Sequence, residues 1–393
     1  MGRPLRCEQF DAGEVCVVHI VQRCVRKAYL AGRDDRTGID YSFRREWIRR
    51  RLEALASVFG IDVLTYAIMS NHLHVILRNR PDVVATWSDE QAALRWLRVF
   101  PGRRLDEQLA EPTENDVKAL AADGERMAVV RRRLSDISWF MRALSEPIAR
   151  LANKQDECTG RFWEGRFKAQ RIVDEAGLLA CAMYVDLNPV RAALADSPDQ
   201  AVHTSAYDRI QAERGEQIAS AAFDLVSVST EQAGGHLRET SVVDRGLQRQ
   251  SKRRNPTGRR ILRDGWLAPL TLSDRKGADE SEAHQGGVRA SDKGFLGLDW
   301  HQYLVLLRWT AEQRIQGRAT PVPEKLRGIL GALGIEASMW RDLVWEYKRY
   351  FGRSTCAGSP QAMAADARRS GRHYHSGQRL VRECFAASTA GIT

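Results

Sequence analysis

The stretch that decides the fold is residues 69–78, MSNHLHVILR. Side chains alternate between the two faces of a strand, so His72 and His74 are expected to share one face. Leu73 and Val75 then point the other way, into a core. Because two imidazoles one strand repeat apart can both reach one metal ion, this stretch predicts a strand that carries part of a metal-dependent active site.

The composition favours a protein that binds a polyanion. The 393-residue chain has a formal net charge of +10 at pH 7, and its basic residues are mainly arginine. Arginine suits bidentate contacts with phosphate, so nucleic acid is the first candidate partner. The hydrophobic fraction of 43% is enough to build packed cores in two or more domains.

Cysteine usage and hydropathy indicate a cytoplasmic protein. The seven cysteines include no Cys-x-x-Cys pair, so neither a zinc ribbon nor a disulfide framework is indicated. The first residues lack the apolar stretch of a signal peptide, and no apolar run approaches the ~20 residues that cross a bilayer. We therefore expect no membrane partner.

Hydrophobic periodicity predicts the order β-α-β-β-(helices)-β-α in the first half of the chain. Strands are expected at 14–24, 61–69, 72–79 and 166–173, and helices at 42–59, about 128–153 and 174–187. Pro189 is expected to close the last of these helices. This order predicts an α+β fold, with a ferredoxin-like βαββαβ-type antiparallel sheet and a helical insertion at about 82–155.

Three regions follow from the changes in composition. Residues 1–213 are expected to form the catalytic domain, 214–291 a polar and basic linker, and 292–393 a small helical accessory domain. The linker carries a short apolar island at 265–269 and a basic cluster that would add salt-dependent affinity on a DNA enzyme. The cluster consists of Arg245, Arg249, Lys252, Arg253, Arg254, Arg259, Arg260 and Arg263.

Two further segments carry residue types with chemical use. In residues 181–192, CAMYVDLNPVRA, Tyr184 and Asn188 are four apart on a predicted helix and share a face. Residues 160–168, GRFWEGRFK, mix aromatic and basic side chains, a mixture that suits single-stranded DNA. Trp163 and Phe167 fit a hydrophobic core equally well.

In this order, residues 69–74, 160–168 and 184–192 resemble the single-tyrosine HUH transposases. This is the insertion-sequence-two-hundred-type family that includes the REP-associated tyrosine transposases. The resemblance covers roughly the first 206 residues. It implies that His72, His74 and Asn188 bind a divalent metal, Mg²⁺ or Mn²⁺, although this ligand set alone would also accept zinc.

The same resemblance implies that Tyr184 is the nucleophile. The enzyme would cleave and rejoin single-stranded DNA, at hairpin-forming or palindromic repeats, through a 5′-phosphotyrosine link and a free 3′-OH. His19, on the first strand, is expected either to approach the active face or to be an ordinary strand histidine. Side chains that would contact the DNA are Arg23, Trp163, Arg166, Phe167, Lys168 and Arg191.

Other readings compete with this one. A non-catalytic DNA-binding regulator derived from such a transposase would keep the fold without the chemistry. A replication initiator or relaxase is another HUH endonuclease, but in many relaxases the tyrosine precedes the histidines, whereas Tyr184 follows them. A zinc hydrolase would need a third His or carboxylate at metal spacing, and the sequence offers none that is convincing. The sequence leaves open whether the protein is a monomer or a homodimer.

Overall fold

The computed structural model describes residues 10–25, 31–34, 38–102, 111–223, 259–272, 282–315 and 321–385. Five members of the predicted basic cluster, at positions 245 to 254, lie outside these described residues. The other three, Arg259, Arg260 and Arg263, are described and make hydrogen bonds within the chain.

A five-stranded sheet forms the centre of a mixed α+β fold, so the predicted fold class is confirmed. The strands are β1 Val17–Arg23, β2 Ile61–Ile68, β3 His72–Asn79, β4 Lys168–Ile172, β5 Gln217–Ala219, β6 Arg260–Leu262 and β7 Cys356–Ala357. The strand order is β2-β3-β1-β4-β7, while β5 and β6 pair separately. The first four strands are antiparallel neighbours, as expected, but β7 adds an unpredicted fifth strand parallel to β4.

Helices fill the segments between the strands and most of the C-terminal part. They are α1 Arg44–Ala56, α2 Pro81–Thr86, α3 Asp89–Val99, α4 Glu114–Ala121, α5 Gly124–Leu134, α6 Ile137–Gln155, α7 Glu175–Asp186, α8 Asn188–Arg191, α9 Ser205–Glu213, α10 Trp300–Ile315, α11 Glu324–Ala332, α12 Trp340–Trp345, α13 Tyr347–Phe351, α14 Pro360–Arg369 and α15 Gln378–Val381.

The two faces of the sheet have separate hydrophobic cores. Helices α1 to α6 share one core with Val18 and Val75. Helix α7 shares the other core with Ile76 and with helices α9 to α13. Because side chains alternate along β3, this division leaves His72 and His74 on the face that α7 covers.

Two helix boundaries differ from the prediction for local reasons. The helix expected at 128–153 is divided between α5 and α6, because the Asp136 carboxylate accepts a hydrogen bond from Ser138 N at 2.6 Å and begins a new helix. Pro189 does not end the helical path. It lies in the first turn of α8, where a missing N–H is tolerated, and this places Asn188 directly after the helix that carries Tyr184.

The described parts of the predicted linker are packed onto the sheet domain. Trp266, in the apolar island, is fully buried, and its ring centre lies 5.4 Å from that of Tyr66. Ser291 N and Oγ both donate hydrogen bonds to the buried carboxylate of Asp62. These parts of residues 214–291 therefore belong to the folded body.

The C-terminal part joins the same body at a close contact with α7. A Cβ atom on Gly177 would lie 2.6 Å from Ala357 O and 2.7 Å from Gly358 Cα. Only a glycine lets the helix and the β7 backbone approach so closely. The division into three regions stays a prediction, but residues described between 300 and 385 share a core with α7.

Within the ranges that the structure describes, no helix combines the length and the apolar character needed to cross a membrane.

We predict that Gly177→Ala lowers the free energy of unfolding by about 1–3 kcal/mol, because the added methyl group overpacks the contact with β7. Gly328→Ala is the matched control, since it too lies in a helix and its added Cβ would meet nothing within 4 Å. The control should raise stability by up to about 1 kcal/mol through helix propensity. Urea unfolding followed by circular dichroism measures both changes, and equal stabilisation by the two variants would contradict the prediction.

Candidate active site

Three histidines lie together on the sheet face that α7 covers. In the strand register, His74 is opposite Val21 and His72 is opposite Arg23. His74 is completely buried, and its Nδ1 atom lies 2.9 Å from Nε2 of His19, with the two rings stacked at 5.2 Å. His19 therefore approaches the active face, the first of the two alternatives that the sequence leaves open.

Helix α7 presses Tyr184 against these histidines. The Tyr184 ring meets the His74 ring edge-on at 5.4 Å, and the residue is only 2% exposed. Asp174 begins the helix by accepting a hydrogen bond from a backbone N–H of the first turn. At the other end, the buried Asp186 carboxylate accepts a hydrogen bond from the Tyr303 hydroxyl at 2.7 Å. These anchors fix the position of the helix that carries Tyr184.

Buried polar atoms without a hydrogen-bond partner among the described residues gather here. Five of them are His72 Nε2, His74 Nε2, Tyr184 Oη, Asn188 Nδ2 and Arg191 Nη1. Buried polar groups in folded proteins are nearly always hydrogen-bonded, and each one left unpaired costs about 1–3 kcal/mol. Their concentration indicates a place that binds groups from outside the chain.

Burial sets the protonation of the ionisable groups. Burial lowers the pKa of His19 and of His72 to about 4, and it lowers the pKa of His74 well below its usual value. The positive charge of Lys348 lowers all three pKa values further. The imidazoles are therefore neutral at pH 7, which is the form that binds metals. Burial raises the pKa of Tyr184, while Asn188 and Arg191 oppose that rise.

The residues present fit a divalent metal ion. His72 and His74 each have one ring nitrogen held by a neighbour, Asn71 or His19, and the other without a partner. A metal-binding histidine usually has this arrangement, in which the second nitrogen is held by a hydrogen bond. The Asn188 amide can offer its oxygen after a half turn of the side chain, because the two amide orientations differ only in hydrogen bonding.

A cavity of about 480 Å³ opens beside Tyr184. The ionisable groups that line it are two histidines, the hydroxyls of Tyr184 and Tyr347, and five basic side chains. The basic side chains in the lining are Arg23, Arg166, Lys168, Lys348 and Arg353. The Arg191 guanidinium also lies over the Tyr184 ring, 5.6 Å from its centre. A cavity with this lining attracts an anion.

Most of the residues predicted to contact DNA lie at this cavity. Arg23, Arg166, Phe167 and Lys168 line it. Trp163 does not: its indole N–H donates to Ser145 O at 2.9 Å, and its ring packs against the core of the other sheet face. Trp163 therefore packs against the hydrophobic core, which is one of the two alternatives that the sequence leaves open.

The C-terminal part supplies cavity residues that the sequence motifs do not include. The Tyr347 ring stacks on Tyr184 at 4.7 Å, and its hydroxyl donates to Gln170 Oε1 at 2.9 Å. Lys348 and Arg353 complete this wall. No local pattern predicts their place at the cavity, because the spacing of Tyr347 is that of one more residue on the apolar face of a helix.

A second group of possible metal ligands lies beside β7. One ligand atom each from Cys356, Asp366 and His375 lie within 4.8 Å of one another, so this cluster could hold a metal ion. Its polar atoms already have partners, however. His375 contacts Asp366 at 3.0 Å and Thr355 at 3.3 Å, and burial raises the pKa of the Cys356 thiol to about 12. The unpartnered nitrogens beside Tyr184 are the stronger candidates.

Comparisons with known proteins find few similarities. No protein-family model matches the chain, and no curated protein matches it. One solved structure, of a REP-associated tyrosine transposase bound to a REP hairpin, aligns over 61% of this chain and 100% of that chain, with 11% identity and a TM-score of 0.32. A likeness this low carries no weight for function, which is inferred below from the site residues.

We predict that Tyr347→Phe lowers the free energy of unfolding by about 1–2 kcal/mol, because Gln170 Oε1 loses the hydroxyl that donates to it while the aromatic stack is kept. Tyr374→Phe is the control, because Tyr374 is 73% exposed. Thermal and urea unfolding of both variants would test this. Equal stability of the two variants would show that the Tyr347 hydroxyl contributes nothing.

Proposed function

We propose that this protein is a metal-dependent nuclease and strand transferase of the transposase type, acting on single-stranded DNA. One observation carries the proposal. His72, His74 and Tyr184, each with an unpartnered polar atom, contact one another through their rings, and Asn188 follows one helical turn after Tyr184. His74 and Tyr184 line a cavity whose permanently charged residues are all basic. A nucleophile, neutral metal ligands and an anion-attracting wall are the three parts that a phosphodiester transfer needs.

In this proposal His72, His74 and Asn188 hold Mg²⁺ or Mn²⁺. These ligands are uncharged, so the ion keeps its full positive charge, and when bound it polarises a phosphoryl oxygen as a Lewis acid. The Nε2 atom of His19 contacts the Nδ1 atom of His74 and so holds the His74 ring in place. Burial keeps the imidazoles neutral, so protons do not compete for the ligand atoms at pH 7.

Tyr184 performs the covalent step. Its Oη atom forms a bond to phosphorus while the bond from phosphorus to the 3′ oxygen breaks. The tyrosine proton passes to solvent, and the departing 3′ oxygen takes up a proton. The products are a 5′-phosphotyrosine and a free 3′-OH, and the reverse reaction joins strands without ATP because the phosphodiester energy is kept in the covalent link. Arg191 and Arg23 favour the tyrosinate that forms during attack.

The proposed substrate is single-stranded DNA that carries hairpin-forming repeats. The cavity offers cations for the backbone, and Phe167 is among its lining residues, with its side chain buried in the core of the other sheet face. Cations along a backbone groove with aromatic side chains are typical of proteins that bind single strands. The hairpin repeats rest on the resemblance of the three sequence motifs alone.

We predict that Tyr184→Phe abolishes strand cleavage and the covalent adduct, while DNA binding is kept, because only the attacking oxygen is removed. Tyr374→Phe, on the exposed surface, should behave like the native chain. The assay is a denaturing gel with labelled single-stranded DNA from the repeats that flank the gene, with Mn²⁺ and then with EDTA. Cleavage by the Phe variant would rule out Tyr184 as nucleophile. Binding without an adduct by the native chain would favour the regulator reading.

We predict that His72→Ala weakens Mn²⁺ binding by more than about tenfold, and that His19→Ala weakens it by about ten- to one-hundredfold, because His19 holds the His74 ring. His301→Ala, at an exposed position of α10, is the matched control. Titration of Mn²⁺ by electron paramagnetic resonance measures the affinity directly, without DNA. Unchanged Mn²⁺ affinity in His72→Ala would remove the proposed metal site.

A further inference from the structure

The cavity beside Tyr184 has one wall that none of the three sequence motifs supplies. This wall, hereafter the C-terminal wall, consists of Tyr347, Lys348 and residues 352–355. It faces Lys168 of β4, which lines the same cavity.

Hydrogen bonds hold the C-terminal wall in place against β4. Gln170 Nε2 donates to Phe351 O at 2.6 Å and to Ser354 O at 3.0 Å. The backbone N–H of Arg171 donates to Thr355 O at 2.9 Å. The Gln170 side chain thus binds both ends of the turn after α13, and this attaches the C-terminal wall to the edge of the sheet.

Gly352 lets the turn fold back close to Lys348. A Cβ atom at this position would lie 2.3 Å from Lys348 O, closer than any side chain tolerates. The chain therefore turns tightly at the end of α13, and Arg353 comes to line the same cavity as Lys348. Two cations from this short segment thus reach the cavity that contains Tyr184.

These cations lack carboxylate partners. Within the described ranges, no carboxylate oxygen lies within ion-pair distance of Lys348, Arg353 or Lys168, whereas neighbouring Arg349 pairs with Glu346 at 2.8 Å. Burial lowers the pKa of Lys348, and Arg191, Arg23 and Lys168 lower it further, the direction expected for cations that repel one another. Like charges held together without a counter-ion cost stability, and a bound anion offsets that cost.

We propose that Lys348 and Arg353, together with Lys168, form a subsite for a backbone phosphate of single-stranded DNA next to the phosphate that Tyr184 attacks. The inference rests on the proposed function for its substrate. It adds that the C-terminal part binds the substrate directly. Several cations around one cavity can contact more than one phosphate of a strand, and phosphate contacts position a strand without reading its sequence.

The test compares Lys348→Gln with Lys325→Gln in the full chain. Lys325 is an exposed lysine of α11 outside the cavity, so the control loses the same charge. Binding of a fluorescein-labelled oligothymidylate is followed by fluorescence anisotropy in EDTA over a series of salt concentrations. We expect Lys348→Gln to bind about five- to tenfold more weakly at low salt. The slope of log K against log salt should fall by about 0.7, the value for one lost contact to a single strand.

Each outcome decides the proposal. Equal affinity and slope for Lys348→Gln and Lys325→Gln would overturn the subsite, as would the absence of salt-dependent binding by the native chain. A selective loss in Lys348→Gln supports it, and Arg353→Gln should then reproduce that loss. The Tyr184→Phe cleavage assay tests the proposed function separately from the phosphate subsite. Normal cleavage by that variant would refute the proposed function, while the phosphate subsite would still stand on the binding data.

Discussion

The rest of the structure depends on how helix α7 is covered. Its residues from Ala176 to Asp186 are all buried, so this helix has no face for solvent and needs apolar partners on every side. The sheet face around Ile76 supplies one side, and the C-terminal helices supply the other. Tyr184 is therefore held between His74 of the sheet and Tyr347 of the C-terminal part, and the position of the nucleophile follows from the packing of the core.

Burial has two opposite effects on the chemistry of this site. It keeps the histidines neutral, which favours metal binding, but it raises the pKa of Tyr184 and so disfavours the ionised nucleophile. Arg191 and Arg23 act against the second effect. The charges of Lys168, Lys348 and Arg353 and the orphaned polar atoms lower the stability of the free protein, as is usual where binding groups are arranged ahead of their ligand.

Local patterns predicted the parts of the fold that local interactions determine. The period-2 alternation of β3 and the i to i+4 spacing of Tyr184 and Asn188 each depend on neighbours in sequence, so the strand and the shared helix face could be predicted. β7 has only two residues, too few for any periodicity, and its place depends on the absence of a side chain at Gly177. The C-terminal wall could not be predicted either, because the hydrogen bonds of Gln170 reach across a large part of the chain.

The late position of the C-terminal wall in the chain has a consequence for biosynthesis. The histidines, Tyr184 and Asn188 all leave the ribosome well before Tyr347 and Lys348. Until those residues emerge, α7 lacks its second apolar cover and the cavity lacks one side. A nascent chain thus contains every residue of the three motifs without a finished pocket, and the site becomes complete only after Tyr347 and Lys348 have also been made.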